Sequence, residues 1–305
     1  MTVPFRCSVR SLARAEPMYG TASTVRAFVL VEWSGPWGSD ALRDARLPAA
    51  VAAHLRRAGA RGVRPLLVRR HGRSDPGRSD PGRMAVFAAY ADPHRPWLES
   101  AVLDGPEQLC DLDLGALASG ASVGLGLTDE PVFLACTNGR HDRCCAERGR
   151  PLAAALARSH PAESWEVSHI GGDRFAGNLL VLPDGLYYGR LSPGDATALV
   201  GRHLAGHLDL AHLRGRSGYG FAVQAAEWFL RMQLGVTGRH SVRLTARAAR
   251  GQQTEALFVV EEQAWRVVVA SRQSPAQLLT CGSARTDAAR LFELVDIEPA
   301  AAAAQ

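Results

Sequence analysis

Cys136 and Cys145 stand nine residues apart, and His169 is followed four positions later by Asp173. Two soft sulfurs and an imidazole, each delivered by the end of a regular element, are the donor types of a metal site. The nine-residue spacing is unlike the tight Cys-x2-Cys knuckle of many zinc sites. A loop of that length has room to wrap a larger object such as a two-iron cluster. Cys145 falls at an expected helix start, where free backbone N–H groups and the helix dipole stabilise a thiolate. Arg140 and Arg143 in the loop offset its negative charge. Between His169 and Asp173 lie Gly171 and Gly172, which permit the sharp turn that two ligands need to converge. Their missing side chains also let the main chain approach a bulky group.

The elements that must position these residues are legible from pattern. Residues 132–135 read as a strand leading into Cys136, residues 146–158 as a helix with Leu152 and Leu156 on one face, and residues 165–167 as a second strand leading to His169. Residues 179–182 and 186–189 flank Pro183-Asp184-Gly185, a hairpin turn, and Ser192-Pro193 opens another helix. The resulting α/β unit is assigned to residues 126–215. Before it, a strand at 25–31, helices from Ser39 and over 47–58, and strands at 64–69 and 84–89 define a smaller α/β domain, residues 1–125. After it, residues 216–305 carry a helix at 221–234, stopped by Gly235, and strands at 241–248, 256–260 and 265–270. Residues 1–20 are expected to be an irregular lead-in, the GRSDPGRSDPGR repeat at 72–83 a mobile loop, and Pro299 with the alanines after it a disordered end.

Composition narrows the function classes. Hydrophobic residues make up 47% of the 305 and charged residues 21%, as in an ordinary globular protein. No apolar run is long enough for a membrane span, and the first residues lack the apolar core of a secretory signal, so a cytoplasmic protein is expected. The net charge is +5, but all 35 basic residues are arginines scattered through the chain, which gives no nucleic-acid footprint. Six cysteines are too few for a secreted disulfide scaffold, and three of them fall within ten residues, which favours metal binding or redox chemistry. Cys7 and Cys110 read as packing residues. His203, His207 and His212 have near-helical spacing but no evident acidic partner, and read as a solvated or half-buried helix face.

In its second domain the sequence resembles the sucrase/ferredoxin-like family, also described as thioredoxin-like ferredoxins. The resemblance rests on Cys136-Thr137, Arg140, Asp142, Cys144-Cys145, Gly149-Arg150-Pro151-Leu152, Trp165-Glu166, Ser168-His169-Ile170-Gly171-Gly172, Leu182-Pro183-Asp184-Gly185 and Tyr188-Gly189-Arg190. Glu32 and Gly35-Pro36-Trp37-Gly38 extend it into the first half. It implies a thioredoxin-like sandwich and a [2Fe–2S] cluster held by two cysteines and the two histidines of His-x-Gly-Gly-His. Carried over by position, Cys136 and Cys145 are the thiolates and His169 the first imidazole. The second histidine is Asp173 here, so the fourth ligand is Asp173 itself, or else Cys144 or Cys281. The function implied is single-electron transfer to an unidentified redox partner protein. Nothing identifies the paired carboxylates of glycoside hydrolysis, so sucrase activity is not expected. A metal-free thiol redox protein using Cys144 or Cys145, and a structural zinc site, are the alternatives.

Overall fold

The computed structural model describes residues 4–72 and 82–300, so most of the GRSDP repeat and the last alanines lie outside it. The chain starts with α1 (Cys7–Ala13) where an irregular lead-in is expected. β1 (Ala27–Glu32) is apolar at every position but the last and is covered on both faces. α2 (Ala41–Asp44), capped by the Asp40 carboxylate, and α3 (Ala49–Ala60) lead to β2 (Val63–Arg69), which runs parallel to β1. β3 (Met84–Tyr90) pairs antiparallel with the other side of β1, followed by β4 (Trp97–Leu103), a 3-10 turn at Pro106–Asp111, α4 (Leu114–Ala118) and the short edge strand β5 (Gly126–Leu127).

The same order then repeats. β6 (Val132–Cys136) crosses over through α5 (Arg143–Ser159) to the parallel β7 (Ser164–Val167). β8 (Leu179–Leu182) and β9 (Leu186–Tyr188) add antiparallel on the far side of β6, and α6 (Pro193–Leu204) leads to β10 (Leu213–Arg216). Ser192 and Asp195 form a reciprocal capping box at the start of α6. The two halves meet where β2 pairs antiparallel with β7, through Val68↔Val167 and Arg69↔Glu166, which makes one ten-stranded sheet.

Alternation along the strands decides where the cores sit. Phe28 and Leu30 point one way and pack with Leu134, Trp165, Val167 and Leu180 of the other half, so the sheet curls on itself around a core built mainly by strands, to which α5 contributes Cys145. Val29 and Val31 point the other way, onto Val51 and Leu55 of α3. Phe133 and Ala135 likewise face Leu152 and Leu156 of α5. Cys136 falls on the inner face by this alternation, at the rim of the shared core.

α7 (Phe221–Leu234) ends at Gly235 in the left-handed conformation and packs on a separate antiparallel meander of β11 (Val242–Arg250), β12 (Gln253–Val260), β13 (Gln263–Gln273) and β14 (Arg290–Ala300). The chain is thus α/β, with the expected helix and β-meander extension. β14 continues through Pro299, where the sequence reads as a disordered end. It is an edge strand, and an edge tolerates a proline that donates no ladder bond. No helix among the described residues is long and apolar enough to cross a membrane.

One buried polar group gives the fold a pH dependence. His203 on α6 is fully buried, and its Nε2 lies 2.8 Å from an Arg239 guanidinium nitrogen and 3.5 Å from Asp184. The acidic partner that sequence reading missed is therefore Asp184 of the hairpin turn. Burial pushes the imidazole down to about 4, with Asp184 opposing and Arg239 and Arg216 assisting. The unfolded chain then takes up this proton before the folded one does. Stability is complete above the ordinary histidine value and declines as pH falls toward 4, by about 3 kcal/mol in all. Denaturant midpoints measured between pH 7 and pH 4 check this, and His203→Gln removes that part of the slope.

Candidate metal centre

β6 ends at Cys136, and the turn after it is tied to the seam between the halves. Thr137 Oγ1 donates to Glu166 at 2.9 Å, and the same carboxylate pairs with Arg69 at 2.8 Å and His71 at 2.7 Å. Asp142 then caps α5 by accepting from the backbone N–H of Cys144 at 2.8 Å. That sets the helix start three residues earlier than apolar periodicity places it, and puts Cys145 in the first turn. Gly149 faces the strand end so closely that a Cβ there would stand 1.9 Å from the Cys136 carbonyl oxygen. The separation of the two sulfurs therefore depends on a missing methyl group.

β7 delivers His169 in a similarly fixed frame. Ser168 exchanges hydrogen bonds with Leu67 of β2, through its backbone N–H at 2.8 Å and its hydroxyl oxygen at 3.0 Å. Arg64 donates to the His169 carbonyl at 3.1 Å. Gly171 and Gly172 have φ of 90° and 80°, so the expected sharp turn is present. The space their side chains leave open serves other neighbours than a cofactor. A Cβ on Gly172 would stand 2.3 Å from the Arg214 guanidinium, and one on Gly171 would stand 3.0 Å from Ser23 Oγ.

The donors converge. One ligand atom each from Cys136, Cys145 and His169 lie within 4.8 Å of one another. Asp173 Oδ1 is 3.1 Å from His169 Nδ1 and accepts from Cys145 Sγ at 3.3 Å. Both cysteines and Asp173 are buried, while His169 keeps 27% of its side chain exposed, so the imidazole is the side of the centre that meets solvent. Cys136 is held down at about 5, first because the Cys145 thiol donates to it and then by His169, against burial. Cys145 is correspondingly pushed up. Burial opposes charge on the imidazole, yet Asp173 and Cys136 outweigh it and hold His169 up at about 9. The group rests as thiolate, imidazolium and carboxylate, two of them already in the form that binds metal.

Two further residues reach the centre. His141 stacks on His169 with ring centroids 3.6 Å apart, and its Nε2 is 3.7 Å from Asp173, so a second imidazole reaches the centre from a different loop. Its position close to Cys145 in sequence was the available signal. Arg214 carried no signal at all. It is fully buried beneath the Gly171–Gly172 turn and donates to Gly171 O and Asn178 Oδ1 at 2.9 Å and to Thr21 O at 2.7 Å. Cys144 and Cys281 are placed in a separate group with Cys7 and Asp142, and Cys110 is exposed where packing is expected. Trp37 is buried in the first half's outer core beneath Arg69.

Fold and site together define a mixed α/β protein with a cysteine, histidine and aspartate donor group at the strand ends, able to hold a metal. The chain belongs to the sucrase/ferredoxin-like family, whose model matches residues 18–215. No curated protein and no solved structure matches it. The matched stretch contains all ten strands of the large sheet except the final residue of β10, and leaves out α1, α7 and the meander.

Proposed function

We propose that this protein is a single-electron carrier whose [2Fe–2S] cluster is held by Cys136, Cys145, His169 and Asp173. The observation that carries the reading is the convergence of two sulfurs and an imidazole from the ends of β6 and β7 and the start of α5, within 4.8 Å. The residues fit the group in chemistry: two thiolates suit one iron, and a nitrogen with a carboxylate oxygen suits the other. His169 Nδ1 is enclosed and faces Asp173 Oδ1 at 3.1 Å, so the nitrogen and the carboxylate oxygen already stand side by side as a donor pair. When bound, the cluster supplies one-electron chemistry. The chain's own residues bury the sulfurs, present the imidazole to solvent and place the charged Arg214 behind the turn. A carboxylate in place of a second neutral imidazole adds negative charge and lowers the reduction potential, and Arg214 counters it. Exposed Arg140, Arg143 and Arg150 border a cleft of about 540 Å³ beside the centre, which suits a redox partner with an acidic face. Six cysteines without a disulfide suit a reducing compartment, the cytoplasm.

The compactness of the donors favours a second reading, a single zinc ion on the same residues. A vicinal dithiol has less support, because Cys144 and Cys145 face different groups. Protein purified without oxygen separates these readings. About two irons and two sulfides per chain, with a brown colour bleached by dithionite, are expected from the first reading. Colourless protein with one zinc would establish the second. Cys136→Ser is expected to abolish loading. Asp173→Ala is expected to destabilise the cluster more than His141→Ala, and the reverse order would transfer the fourth position to His141.

A further inference from the structure

Cys144 precedes Cys145 by one residue, a step that turns its side chain about 100° around α5. It faces α1 and the loop carrying Cys281, away from the first centre. Cys144 Sγ lies 3.4 Å from Cys281 Sγ, which lies 3.5 Å from Cys7 Sγ. Ligand atoms of Cys7, Asp142, Cys144 and Cys281 are all within 4.8 Å of one another. The Asp142 carboxylate accepts from the backbone N–H groups of Cys144 at 2.8 Å and Cys281 at 2.7 Å, and its oxygens stand 3.6 and 3.7 Å from Cys7 Sγ. Arg6 clasps Glu147 through bonds of 2.7 to 2.9 Å, which holds Cys7 against α5.

The geometry points to a second metal site, in which Cys7, Cys144 and Cys281, with Asp142, bind one zinc ion independently of the first centre. Thiolates at a zinc–sulfur distance of about 2.3 Å in a tetrahedron lie about 3.8 Å from each other. The sulfurs here need to open by only a few tenths of an ångström. Three sulfurs on three distant segments match the soft donors that zinc selects, and the carboxylate completes four. Cys281 is half-buried, so an ion can enter from its side. Cys7 and Cys281 both lie outside the stretch matched by the family model, so the site does not follow from family membership. Its consequence is mechanical. One ion would join α1, α5 and the C-terminal extension, closing chain separations of 137 residues between Cys144 and Cys281 and 274 between Cys7 and Cys281, and such closure stabilises by restricting the unfolded chain.

The test uses the full chain, purified and kept under reducing conditions with zinc supplied, and measures metal content per chain. Cys281→Ser and Cys7→Ser are each expected to lose one zinc relative to the unsubstituted protein, with iron and sulfide unchanged. Cys136→Ser is expected to keep that zinc while losing the metal of the first centre, so the two sites fail separately. Cobalt added to metal-depleted protein is expected to give a sulfur-to-cobalt charge-transfer band that Cys281→Ser abolishes. A zinc content and a cobalt spectrum indifferent to Cys7 and Cys281 would overturn the site. So would a Cys144–Cys281 disulfide found by intact-mass analysis of the zinc-treated protein.

Discussion

Gly149→Ala is expected to disable the proposed metal centre and to destabilise the fold together. The new Cβ meets the Cys136 carbonyl oxygen at 1.9 Å and its carbon at 2.9 Å, and both atoms are backbone. β6 is held between β7 and β8, so the strand does not yield and α5 must move instead. Restoring ordinary contact needs a shift of more than an ångström in the helix that carries Cys145. Overpacking of this kind costs about 3 kcal/mol, at the upper end of what such insertions do. Iron and sulfide content, read beside the denaturant midpoint, checks the prediction. Leu156→Ala is the control. Leu156 is fully buried in the outer core near the far end of α5, and its truncation costs about 2–5 kcal/mol. That variant is expected to lose stability but keep its metal. Metal loading in Gly149→Ala equal to that of Leu156→Ala would refute the claim that helix approach sets the sulfur spacing.

The second large effect is expected from Arg214→Met. Arg214 fills the space beneath the turn that links His169 to Asp173, and its guanidinium serves Gly171 O, Asn178 Oδ1, Thr21 O and, at 3.2 Å, Thr21 Oγ1. Among the described residues none of these partners is a carboxylate. Burial draws the guanidinium down to about 10, against Tyr187, Asp173 and Cys136, so it stays charged at neutral pH. Methionine fills much of the volume but leaves the acceptors unpaired, at about 1–3 kcal/mol for each that water fails to reach. A loss on the order of 4 kcal/mol is a large fraction of a typical domain's stability. Loosening the turn is also expected to weaken metal binding roughly 10- to 100-fold, as loss of a ligand's supporting contacts generally does. Arg214→Lys keeps the charge without the planar fork and is expected to fall between the two. A methionine variant as stable as the parent, with full metal content, would show the arginine to be incidental.

Much of the fold was readable because its determinants are local. β8 and α7 were predicted with the boundaries observed, since each carries its own apolar pattern and a stop at Pro183 or Gly235. β10 escaped notice because Arg214 and Arg216 make it read as polar surface, yet both are buried. α1 escaped because a seven-residue helix spans barely two turns and so has little period to detect. His203 was read as part of a solvated or half-buried helix face, and it took the folded hairpin to bring Asp184 to it.

From its order alone the chain determined the α/β class, the types of the donor side chains and three of the converging residues, Cys136, Cys145 and His169. Each of those follows a recognisable strand or opens a recognisable helix, so its position is set by neighbours a few residues away. Only the tertiary structure decided that Gly172 makes room for Arg214, that His141 stacks on His169, and that Cys144 belongs with Cys7 and Cys281. Those contacts join segments that share no periodic pattern, and packing creates them only after the sheet has curled and both ends of the chain have closed over α5.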